Sequence, residues 1–202
     1  EKFIFDENDK TGGYYFIDDE NYKIRTIVIN TCHSNTGTSI SWYQLQWLAN
    51  RAFDLSEKTD SDKWSVIVFG HKQILPCLNA EELSLIQIAD MLKAVNEKTV
   101  YKSTAPAIDV DFSRQNFTLI GYVHGHTHLD AMFIDEDYGF LNISTICSQV
   151  QQKTSNNDLS TSFERKLGTT SEFAFDIINI DTEHRFIQCI RVGAGNNRSI
   201  YY

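Results

Sequence analysis

The chain has 202 residues, 42% hydrophobic and 22% charged, with only 2 prolines and 10 glycines. That is the make-up of one folded domain with its own core, not of a disordered chain. The net charge of −9 argues against nucleic acid or an anionic membrane as a partner, because both reward a basic face.

Taken in chain order, YYFI (14–17) and KIRTIVIN (23–30) predict a hairpin across the turn signal DDEN. Ser41 and Gln44 have capping-box spacing. Trp42, Leu45, Leu48, Ala49, Ala52 and Phe53 follow on one helical face. WSVIVF (64–69) is a continuous apolar run, as in a strand buried on both faces. Asn79 and Glu82 open a second predicted helix, with Leu83, Ile86, Ala89, Asp90 and Leu92 on its inner side. FTLIGYV (117–123) is a second buried-type strand. Beyond residue 130 the pattern turns β-rich, through AMFI, FLNIS, FAFDIINI and RFIQCIRV, with a polar stretch at 151–171 that predicts a surface loop. No boundary divides the chain, so 1–202 reads as one α/β domain. No apolar run approaches the ~20 residues of a membrane helix.

Cys32, Cys77, Cys147 and Cys189 form no CxxC pair and read as buried, reduced thiols, which favours a reducing compartment.

The histidines are unevenly spread. Three of the six lie within five residues, in GYVHGHTHLD (121–130). VIVFGHKQI (66–74) and LIGYVHGHTH (119–128) each run a buried strand into a histidine beside a glycine. Ligands of α/β proteins gather where strands end and loops leave the sheet, so His71, His126 and His128 are expected to cluster at one rim. In an extended segment, side chains two apart point the same way. His126 and His128 would then reach one side together, with Gly125 supplying the bend. Imidazole suits Zn, Mn, Fe and Ni. His33, after INTC, and His184, on a late strand, read as structural.

These motifs resemble the C-terminal half of a calcineurin-like metallophosphoesterase. GHTH (125–128) is similar to that family's last metal motif, G-H-x-H, and VIVFGHKQI to the strand-plus-histidine before it. YYFIDDENYKIRTIVINT with ISWYQLQWLA resembles the preceding segment, and GAGNNRSIYY the tail of bacterial and phage members. The resemblance implies a β-sandwich flanked by helices, and hydrolysis of a phosphomonoester or phosphodiester by two divalent transition metals (Mn, Fe, Zn or Ni). It implies that His71 and His126 bind one ion and His128 the other, with His124 and Asp130 as neighbours.

The family's Asp-x-His, Gly-Asp-x-x-Asp and Gly-Asn-His-Glu/Asp motifs have no counterpart here. FIDDEN and FIDEDY are acidic but lack the right neighbours and order, and read as solvated turns. The catalytic residues and remaining ligands are therefore expected upstream, outside this chain, which alone would bind at most one ion weakly. Without the upstream strands, WSVIVF or FTLIGYV is expected to be left with an open edge or an uncovered apolar face. Either would seek a separate N-terminal segment or a second copy of the chain. An amidohydrolase fits poorly, since its HxH ends the first strand of a barrel of roughly 250 residues. The competing reading is a degenerate, non-catalytic phosphoesterase-like module serving structure or interaction.

Overall fold

The computed structural model describes residues 3–6, 9, 12–32, 40–78, 83–146 and 165–202. Its larger sheet takes strands from most of the chain. These are β1 (Ile4–Phe5), β2 (Tyr15–Asp19), β3 (Ile24–Val28), β4 (Ser65–Phe69), β7 (Thr118–His124), β8 (Ala131–Ile134) and β9 (Leu141–Ser144). The order across the sheet is β1-β2-β3-β4-β7-β9-β8. Neighbours from β3 through β9 run parallel, and both flanks are antiparallel. Two further strands, β5 (Val100–Thr104) and β6 (Ala107–Asp111), form a separate hairpin. A second, antiparallel sheet holds β10 (Ala174–Asp181), β11 (Phe186–Gly193) and β12 (Arg198–Tyr201). No helix among the described residues is long and apolar enough to cross a membrane.

Side-chain alternation assigns each face of the large sheet a partner. Val66 and Val68 face helix α1 (Trp42–Trp47), the π-helical turn Leu48–Ala52 that continues it, and helix α2 (Leu83–Glu97). Ile67, between them, points the other way, into a core shared with Ile187 and Cys189 of the small sheet. The result is an α/β arrangement: helices on one face, a small sheet on the other. A β4 buried on both faces explains why WSVIVF reads as unbroken apolar.

Ser41 caps α1, accepting the Gln44 backbone N–H at 3.1 Å. The Gln44 side chain does not fold back to complete a capping box. It bridges instead to Asn30 beyond the end of β3, accepting from its N–H and donating to its carbonyl. Trp42 is exposed, and Trp47 is buried in its place. In α2 the buried residues are Leu85, Ile88, Ala89, Met91, Leu92, Ala94 and Val95, while Leu83 and Asp90 are exposed. Its buried stripe is wide, and it borders the β5–β6 hairpin as well as the large sheet. The expected helix start at Asn79 and Glu82 lies outside the described residues.

Two other expectations are corrected. β4 and β7 are interior strands, each paired on both sides, so neither offers an open edge. Among the described residues, one exposed apolar surface is the outer face of the small sheet, with Phe175, Ile177, Ile190 and Val192. The acidic turns are not simply solvated. Asp18 pairs with Arg25 and Lys58. Asp135 is buried and accepts from the Cys77 thiol and two backbone N–H groups.

Candidate metal centre

His71 and His126 stand just past the C-terminal ends of β4 and β7, which are parallel neighbours. The ladder continues beyond the strands: Gly70 N–H donates to Val123, and Gly125 N–H to the His71 carbonyl at 3.1 Å. The exit from β4 is fixed from the other side by Thr31, whose hydroxyl accepts the N–H groups of His71 and Lys72 at 3.0 and 2.9 Å. Beneath it, Tyr122 donates its hydroxyl to the Lys72 carbonyl at 2.6 Å. A Cβ at position 70 would overlap that hydroxyl. Glycine before His71 is thus a demand for space.

The two imidazoles meet edge to face, with centroids 5.0 Å apart and the rings 77° from parallel. His126 Nδ1 lies 3.1 Å from His71 Nε2. Two imidazole nitrogens sharing an ion at about 2.0–2.1 Å each stand roughly 2.9–3.4 Å apart, from octahedral to tetrahedral angles. The observed spacing falls in that window, so the pair fits as two ligands of one transition metal. Without the ion, the same distance suits a hydrogen bond between neutral rings.

The GHTH segment is a turn. His126 and His128 both adopt left-handed backbone, with φ of 64° and 55°. Gly125 does not, and a Cβ there would meet open space. The expected extended segment hinged on Gly125 is therefore replaced by a bend carried by the histidines themselves. Non-glycine residues in this region cost of order 1–3 kcal/mol each and concentrate at functional sites. Among the described residues, no three His, Cys, Asp or Glu side chains are grouped to hold one ion. His128 is thus not grouped with the His71–His126 pair in this structure.

His124 is drawn inward by an irregularity in β7. The β4–β7 register skips Ile120, pairing Val66 with Leu119 but Ile67 with Gly121. This bulge reverses the alternation, so Tyr122 and the His124 ring stacked near it turn to the helix side. His124 Nδ1 donates to the Gly125 carbonyl at 2.9 Å, and its Nε2 is buried beside Asn142 without a well-formed bond. Burial holds its pKa below the ordinary value and outweighs the opposing pull of the Gly125 carbonyl and the nearby Asn142 side chain.

Asp130 is committed elsewhere, to Arg191 at 2.6 Å and to the Ile146 N–H. His184 sits in the β10–β11 turn, bonded to Asp181. His33 and Cys147 lie outside the described residues. Cys32 and Cys77 are exposed, and only Cys189 of the described cysteines is buried. Sequence reasoning missed Thr31 and Tyr122. Both act through backbone groups, and nothing in the residue pattern marks such contacts.

No family model, curated protein or solved structure matches the chain.

Proposed function

We propose that the chain carries part of the metal site of a metal-dependent phosphoesterase, within a calcineurin-like β-sandwich. His71 and His126 hold one divalent transition metal, and His128 belongs to a second. The substrate is a phosphomonoester or phosphodiester. The observation that carries this reading is the pair of imidazole nitrogens 3.1 Å apart at adjacent parallel strand ends. When bound, such ions supply Lewis-acid activation of the phosphate ester. The chain's own part is to position ligands: Thr31 and Tyr122 fix the His71 loop, and the GHTH turn presents His126.

The second reading, a non-catalytic module, is favoured by the lack of a three-ligand group among the described residues. Calorimetric titration with Mn²⁺, Zn²⁺ and Ni²⁺, alongside hydrolysis of p-nitrophenyl phosphate and its bis-ester, separates the two. The expected result is weak binding of one ion, abolished by His71→Ala or His126→Ala, with turnover only when a segment carrying the family's three missing motifs is supplied. Binding that survives both substitutions, or no binding at all, would remove the metal reading. Metal binding without turnover once that segment is supplied would favour the module.

A further inference from the structure

The inner face of the small sheet changes character along its length. Ile178, Ile187 and Ile200 pack into the core between the sheets. At one end the same face carries Asp176, Arg191 and Arg198, one from each strand. Arg191 is buried and forked. It grips Asp176 from Nε at 2.8 Å, and both oxygens of Asp130 from its two terminal nitrogens at 3.0 and 2.6 Å. Arg198 adds bonds to Asp176 and to the Ser144 carbonyl. Ser144 in turn donates its hydroxyl to the Leu129 carbonyl at 2.8 Å. Asp176 thus holds both guanidinium groups within the small sheet, while the bonds to Asp130 and the Ser144 carbonyl tie them to residues 129–130 and the strand end beside them.

The tail motif GAGNNR serves the same arrangement. The Ala194 carbonyl accepts from the Arg191 guanidinium at 2.7 Å, and the Asn197 side chain accepts the Arg191 N–H at 2.8 Å. A Cβ on Gly195 would overlap that guanidinium, and its φ of 111° disfavours any other residue. The motif folds closely around one arginine.

We propose that Asp130 and Arg191 are a positioning pair: the buried guanidinium anchors the end of the GHTH turn and so holds His126 and His128 in the left-handed backbone that brings His126 to His71. What the turn is for rests on the metal reading; the anchoring does not. Two strained residues in one turn persist only where their surroundings over-determine them. A forked, desolvated arginine–carboxylate pair two residues away is such a constraint.

The test uses the full chain, with Zn²⁺ as the titrant. Asp130→Asn keeps the shape and removes the charge; Arg191→Lys keeps the charge and removes the fork. Each is expected to weaken Zn²⁺ binding about 10–100-fold. Each should also move the backbone carbon shifts of His126 and His128 away from left-handed values. Asp18→Asn, which breaks a comparable ion pair remote from the turn, should lower the melting temperature and leave both readouts unchanged. If both Asp130→Asn and Arg191→Lys keep the left-handed signature, the positioning role is wrong, whatever the metal does. If the wild type binds no Zn²⁺ but the signature is lost in the variants, the anchoring stands and the metal reading falls. If Asp18→Asn disturbs the turn equally, the effect is general destabilisation and the proposal fails.

Discussion

At the scale of single residues, strain and charge decide most. His128 occupies a backbone region that glycine enters freely. Replacing it by alanine keeps the strain and loses the ring; replacing it by glycine relieves the strain. His128→Gly is therefore expected to be more stable than His128→Ala by roughly 0.5–1 kcal/mol in urea melts, the reverse of the usual order. Asp18 offers a pH test. Burial alone would raise its pKa, but hydrogen bonds and charge from Arg25 and Lys58 outweigh that and hold it below 3.8. Its contribution is thus full above the unfolded value and is lost as pH falls through the lower folded value. Asp18→Asn should cost about 2 kcal/mol near neutrality. Its stability curve should converge with the wild type below pH 4, as urea midpoints at each pH will show.

At the scale of elements, burial on both faces made β4 and β7 legible, and the β2–β3 hairpin declared itself through its turn. The bulge in β7 was not legible, because a register shift is a relation between strands. The β5–β6 hairpin went unread for a related reason. Its alternation is shallow: Tyr101 and Ile108 are buried, while Val100, Lys102, Ala107 and Asp109 face water. The site was legible to the extent that two strand ends carried histidines. Which histidines meet depended on the bend at residues 126–128, and a histidine is only a weak sequence signal for left-handed backbone. The space under Gly70 gives a direct test. Gly70→Ala should destabilise by about 2–3 kcal/mol, since the Tyr122 hydroxyl is buried and cannot step aside. Gly70→Ala combined with Tyr122→Phe should recover part of that loss, giving a non-additive cycle in thermal melts.

At the scale of the whole molecule, the open question raised by the sequence was where apolar surface would be left uncovered. The interior strands are fully paired, and the outer face of the small sheet is one apolar surface left uncovered. Ile177 and Ile190 oppose each other across β10 and β11, as do Phe175 and Val192, and all four are exposed. Contiguous apolar surface of this kind promotes association. Converting Ile177 and Ile190 together to threonine keeps β-propensity. It should lower light scattering at micromolar concentration and shift stability by less than about 1 kcal/mol. Scattering equal to the wild type would show that association, if present, uses another surface.

The parallel run from β3 to β9 also has a consequence in time. Ile24 must find Ser65, and Ser65 must find Thr118, before the central ladder exists. Closing such long loops is entropically slow, whereas the β10–β11 and β5–β6 hairpins need only local search. The two histidines are therefore expected to become neighbours late, after the small sheet has its arginines in place. Pulse-labelled hydrogen exchange during refolding should protect the β10–β11 amides before those of β4 and β7.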